Sequence, residues 1–182
     1  MTDNTNQFRV RSASSTKDDT QFILAAWDSA LPYLASIGAG EMWGDRPFSE
    51  REGQQQEIID IIRESEQDDR NDSRRFLVAE VETPAGGTTN VVQVGAAMIR
   101  DALPYYLLQR PELNNEIEKA HSLLFIEALI SDHRPQHRHK GAGAALVEAI
   151  KRRALEAGKD AVYVDAWAGN DRKLNRQVSI FG

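Results

Sequence analysis

The stretch Leu123-Leu-Phe-Ile-Glu-Ala-Leu-Ile-Ser131, continued by Asp132-His-Arg-Pro-Gln-His-Arg-His-Lys140 and Gly141-Ala-Gly143, decides the fold. Residues 122–131 are apolar and aromatic and too short for a typical lone helix, which predicts a strand. A polar, His/Arg-rich segment leads to the glycines. From there Leu146, Val147, Ile150 and Ala154 recur at helical spacing within 144–157, while Glu148, Arg152 and Glu156 follow one another at i,i+4 on an outer, solvated face. Gly158 suits a helix terminator. Residues 161–168 then alternate small or branched side chains with Tyr163, Asp165 and Trp167, a second strand. The unit is strand, turn, helix, strand, with glycines where a backbone must come close to something.

Upstream, residues 7–13 alternate Phe8, Val10 and Ser12 against Arg9 and Arg11, a first strand. Ser14, Ser15 and Thr16 offer N-caps, and Asp18 and Asp19 suit the positive end of the next helix, whose apolar face is Phe22, Ile23, Ala26, Trp27 and Ala30. That face weakens at Pro32, where a kink or break is expected before Tyr33, Leu34 and Ile37. Residues 38–48 form a glycine-rich loop whose Trp43 and Phe48 either line a pocket or fold back on the core. Ser49 and Glu52 make a capping-box pair for a helix reaching about residue 67, with Ile58, Ile59, Ile61 and Ile62 inward. A charged turn at 68–73, strands at 75–81 and 91–99 and a long hairpin loop at 83–90 follow. Residues 104–107 and a helical-looking 112–120 lead into the opening strand.

The chain has 182 residues, 41% of them hydrophobic and 27% charged, which suits one domain with one core, 1–182. Residues 1–6 form a polar leader. No apolar run approaches the roughly 20 residues of a membrane-spanning helix, and a net charge of -6 argues against nucleic acid as a partner. Without cysteine, thiol catalysis and Cys-ligated metal are excluded. A polar N-terminus without an apolar segment makes a cytoplasmic location the expectation.

The glycine turn has three readings. A P-loop requires G-x-x-x-x-G-K-[ST], and no such run exists. A dinucleotide fingerprint requires G-x-G-x-x-G; Leu146 stands where the third glycine belongs, although Asp165 lies at a suitable distance downstream. The third reading fits: Arg138-His139-Lys140-Gly141-Ala142-Gly143 matches R/Q-x-x-G-x-G/A between an apolar strand and a helix. Backbone N–H groups at such a turn, with the first free N–H groups of the helix, form a nest for a pyrophosphate. Glycines allow close backbone approach, and Arg138 and Lys140 add charge-assisted contacts.

On these residues, and on the order strand, two helices, hairpin, strand-helix-strand, residues 7–175 resemble the GCN5-related N-acetyltransferase (GNAT) superfamily. The resemblance implies an α/β fold with a mixed sheet, β-α-α-β-β-(α)-β-α-β, and acetyl-CoA as the acyl donor with no metal. Acetyl-CoA would lie at the splayed ends of the strands 123–131 and 161–168. Main-chain groups of Leu129, Ile130 and Ser131 would pair with the pantetheine arm. The amides of His139, Lys140, Gly141, Ala142, Gly143 and Ala144, with Arg138, would hold the pyrophosphate, and Asn170 matches a family position near the coenzyme. An acceptor amine would attack the thioester directly, with Glu127, on the central strand, as the base acting through one water. The acceptor would meet the loop 38–48, with Glu41, Trp43 and Asp45, and the segment 101–112, whose acidic and aromatic residues suit an ammonium.

His133, His137 and His139 fall in the basic turn and His121 just upstream of the opening strand, without carboxylate or cysteine partners at metal-ligand spacing, so contact with phosphate or solvent is expected. After Asn170 the family continues with a helix bearing a tyrosine often assigned as general acid, and with two more strands. Residues 171–182 here do not match, so the expected fold lacks the last two strands and the acid has no counterpart. The free edge at 161–168 is compatible with a homodimer. Two functions follow: an N-acetyltransferase for a small-molecule or peptide amine, or a non-catalytic coenzyme-A-binding or interaction protein.

Overall fold

The computed structural model describes residues 8–67, 74–85, 88–111, 118 and 122–165. The strands are β1 (Phe8–Ser12), β2 (Arg75–Ala85), β3 (Thr88–Arg100), β4 (Leu123–Ser131) and β5 (Ala161–Val164). The helices are α1 (Asp19–Ser36), α2 (Gly40–Trp43), α3 (Gln54–Gln67), α4 (Tyr105–Leu108) and α5 (Ala142–Glu156). The sheet runs β1-β2-β3-β4-β5, antiparallel except for the parallel β4/β5 pair that the crossover through α5 requires. Among the described residues this is the mixed α/β architecture expected from the sequence.

Alternation along the strands sorts side chains to two faces. Leu77, Ala79, Leu124 and Ile126 meet the α5 stripe of Leu146 and Ile150. Phe76, Val78, Ala96 and Ile130 meet α1 and α3 through Ile23, Trp27 and Ile58. Two irregularities change that alternation. Ala79 pairs with Gly95 but Glu80 with Gln93, so Val94 is an extra residue in β3. Met98 pairs with Ala128 but Ile99 with Ile126, so Glu127 is an extra residue in β4. Both bulges lie beside the candidate site, where such insertions re-aim side chains.

Local expectations fail where long-range contacts win. Helix α1 runs through Pro32 without ending, to Ser36. Ser14 and Ser15 do not cap it: both hydroxyls donate to Glu66 of α3. Asp19 is fully buried and takes two bonds from Arg11, one from the Ser14 N–H and one from Gln93 Nε2. Ser49 and Glu52 form no capping box. A 3₁₀ turn at Phe48–Glu50 sits there, held by Asp28 accepting from the Phe48 N–H and the Ser49 hydroxyl, and α3 begins only at Gln54. Ile59 is half-buried, while Ile58, Ile61 and Ile62 are inside. Trp43 and Phe48 fold back on the core, with Phe48 stacked on Trp27 at 4.9 Å between centroids. The long hairpin loop is mostly strand, because pairing continues to Ala85↔Thr88. The turn at 68–73, nearly all of 112–120, the end of the strand 161–168, Asn170 and the tail lie outside the described residues.

Candidate active site

The β4/β5 pairing covers only Leu123–Ile126 against Ala161–Val164. From Glu127 to Ser131, β4 pairs with β3, and among the described residues nothing pairs with its other edge. The bulge at Glu127 follows directly on the last described β4/β5 pair, Ile126↔Val164. Among the described residues, the backbone N–H and C=O groups of Leu129, Ile130 and Ser131 on that edge have no strand partner, the arrangement that can template an extended ligand. The side chain of Ile130 is buried in the α1-side core, whereas Leu129 and Ser131 are half-buried.

That edge runs directly into the basic turn and α5. Gly141 is the N-cap residue at φ 100° and ψ -6°, in the left-handed region that glycine enters without a Cβ penalty. A Cβ there would also lie 3.2 Å from the Phe8 ring. The Ala145 N–H bonds the Gly141 carbonyl, which closes the first helical turn. Among the described residues no acceptor takes the N–H groups of His139, Lys140, Gly141, Gly143 or Ala144. Ala142 differs: its N–H meets the His139 carbonyl at 3.4 Å and its side chain is buried, so it packs the turn against the core. Arg138 and Lys140 are exposed and, among the described residues, carry no ion-pair partner. Five N–H donors and two cations that have no partner among the described residues, with a helix N-terminus, make a fitting cradle for a pyrophosphate.

The turn is anchored from β3 and α1. The bulged Val94 offers its carbonyl to the Asp132 N–H, and the carbonyl of Gln93 lies 2.8 Å from His137 Nδ1. Asp132 is buried; it accepts two bonds from the Arg134 guanidinium, one from the Arg134 N–H and one from Ser29. Burial alone would push the Asp132 carboxyl up, but Arg134 overcomes this and holds it below the usual carboxylate range. His133 stacks on Tyr33 at 4.8 Å and donates its N–H to Ser29. Burial first, then the charge of Arg138, push the His133 imidazole below its ordinary value. His139 Nδ1 faces the His137 carbonyl at 3.2 Å. The described histidines thus have structural partners, and no grouping of three or more His, Cys, Asp or Glu suits a metal ion among the described residues.

Glu127 lies near enough to α4 for its charge to act on Tyr106. Its Oε1 accepts from Arg100 Nη1 at 3.1 Å, with side chains 14% and 21% exposed, while its Oε2 is buried without a hydrogen-bond partner. Leu103 and Leu107 seat the α4 segment on Leu123, Phe125 and Tyr163. From α4 the Tyr106 hydroxyl donates to Asp165 Oδ2, just past β5. Partial burial, the bond to Asp165 and the charges of Asp165 and Glu127 raise the Tyr106 phenol. It keeps its proton and serves as a hydrogen-bond donor. The site thus holds residues that motif reading missed, Arg100, Asp132 and Ser29, and singles out Tyr106 within the segment 101–112. Asp132, an acid abutting an apolar strand two residues before Arg134, was the one with a local signal.

No protein-family model and no curated protein matches the chain. Solved structures do. One is AAC(6')-Iy in complex with the bisubstrate analogue CoA-S-monomethyl-acetylneamine, 17% identical over 97% of this chain and 90% of that one, TM-score 0.50. Another is an aminoglycoside acetyltransferase from an uncultured soil metagenomic sample in complex with sisomicin, 17% identical over 94% and 86%, TM-score 0.50. A third is a transcriptional regulator from Bacillus halodurans C-125, 16% identical over 96% and 91%, TM-score 0.53. At these identities the likeness establishes the fold, which is that of the GCN5-related N-acetyltransferases. No described helix is long and apolar enough to cross a membrane.

Proposed function

We propose that this chain transfers the acetyl group of acetyl-CoA to a primary amine of a small molecule or peptide. One observation carries the reading: among the described residues β4 has no strand partner on its β5 side beyond Ile126, and it runs straight into a turn whose N–H groups have no acceptor among them. The acetyltransferase neighbours share this fold, and one of them holds a coenzyme A analogue.

The assigned roles follow the geometry. The free N–H groups of His139, Lys140, Gly141, Gly143 and Ala144 bind the pyrophosphate, with the Arg138 and Lys140 side chains adding charge. The edge at Leu129, Ile130 and Ser131 pairs with the pantetheine amides as an added strand. Glu127 takes a proton from the acceptor ammonium through a water, using the oxygen that Arg100 does not hold. The neutral amine attacks the thioester carbonyl and the C–N bond forms; the nitrogen then loses its second proton to solvent as the C–S bond breaks, and the departing thiolate takes a proton from solvent. No covalent enzyme intermediate is needed, in keeping with a chain that has no cysteine.

Thermal shift with acetyl-CoA, beside thiol release over a panel of amines, tests the reading. The expected result is a shift, turnover of at least one amine, and a loss of about 100-fold in Glu127→Gln, typical of removing a general base. Absence of any shift would overturn the coenzyme assignment. A shift without turnover would leave a coenzyme-A-binding protein that transfers nothing.

A further inference from the structure

We infer that Arg100 is the positioning residue for Glu127, an inference that rests on the acyl-transfer reading. Glu127 is the inserted residue of the β4 bulge, so the regular ladder does not dictate where its side chain points. Arg100, at the end of β3, stands opposite Phe125, two residues before Glu127. From there its Nη1 reaches Glu127 Oε1 at 3.1 Å. Both side chains are largely buried, so solvent and salt screen the pair far less than an exposed one. The grip on Glu127 is one-sided. Oε1 is held and Oε2 is left, buried and without a hydrogen-bond partner.

A bond to Oε1 limits the directions the carboxyl can take while leaving Oε2 for a proton, which is what a base acting through a water requires. Among the described residues, the charged and titratable groups near Glu127 include Arg100 on β3 and Tyr106 on α4, with Asp165 and Arg110 acting on Tyr106. Arg100 is the one of these whose bond direction orients the carboxyl. It touches no reacting atom and acts through Glu127.

A double-variant cycle tests this, using the full chain, acetyl-CoA and an amine that the wild type turns over. Arg100→Met should lower kcat roughly 10- to 100-fold, the scale of a misplaced catalytic group, with the acetyl-CoA thermal shift and KM unchanged. Arg100→Lys should recover most of the loss. In the Glu127→Gln background, Arg100→Met should cost less than about threefold more, because a residue acting through another has nothing left to act on. That double variant leaves neither Glu127 nor Arg100 as a charge facing an uncharged partner, and its unfolding midpoint is read beside its kcat. Additive losses, or a rise in the acetyl-CoA KM at constant kcat, would overturn the inference and leave Arg100 structural. A wild type that turns over no amine sinks the transfer reading and this inference together; turnover with an unaffected Arg100→Met sinks this inference alone.

Discussion

A Cβ on Gly95 would lie 2.8 Å from the carbonyl oxygen of Ile130, closer than real Cβ atoms approach backbone oxygen. Gly95 is thus the residue that lets β3 and β4 close together just before the basic turn, beside the bulge at Val94. The close approach seats Ile130 and Ser131, whose outer edge is the proposed pantetheine contact.

Gly95→Ala should therefore destabilise the protein by about 2 kcal/mol, the usual scale of overpacking against backbone. At roughly 2–4 °C per kcal/mol for a chain of this size, thermal unfolding should fall by about 4–8 °C. Acetyl-CoA affinity should weaken with it, because β4 must shift at Ile130. A variant as stable as the wild type would mean the strands part there at no cost.

Gly141→Ala tests the turn itself. Alanine at φ 100° is strained by about 1–2 kcal/mol, and its Cβ would meet the Phe8 ring at 3.2 Å. The turn should relax by rotating its free N–H groups out of line. Acetyl-CoA affinity, measured by calorimetry, should drop more than about tenfold while most of the stability survives. Unchanged affinity would place the pyrophosphate elsewhere.

The fold was legible because its signals are periodic and local: the α5 stripe, the alternation in β1 and β5, and the apolar residues that flank Glu127 in β4. The glycine turn proposed to hold the coenzyme was legible as a turn for a related reason, since it is built from consecutive residues and leaves a spacing in the chain. The acceptor side was not. Arg100 and Glu127 are far apart in sequence and meet only because a bulge turns one toward the other, and Tyr106 meets Asp165 across the sheet end. The capping box at Ser49 failed for the same kind of reason: Asp28, from another helix, took that serine.

Acid should unfold the chain through two buried aspartates. Burial pushes the Asp19 and Asp132 carboxyls up, but Arg11 and Arg134 bring both below their ordinary 3.8. A carboxyl lower in the folded than in the unfolded chain contributes stability above the unfolded value and loses it as pH falls toward the folded one. The urea midpoint should thus drop steeply below about pH 4. Asp132→Asn should cost about 2 kcal/mol at neutral pH and flatten the acid limb. An acid limb as steep as that of the wild type would show that Asp132 is not one of its sources.

Arg138 and His133 give a spectroscopic test of where the turn's charge lies. The His133 imidazole is held below its ordinary 6.5 first by burial and then by Arg138, with Asp132 opposing. Such a histidine favours the unfolded chain, which protonates first as pH falls, so its contribution to stability declines as pH drops below 6.5. Arg138→Gln removes the repulsion but not the burial. The His133 ring resonances, followed by NMR against pH, should then titrate higher than in the wild type yet still below 6.5. Adding acetyl-CoA to the wild type should move them the same way, because a pyrophosphate in the turn offsets the Arg138 charge. A titration that ignores both changes would remove Arg138 from the neighbourhood of His133, and with it the cationic side of the proposed cradle.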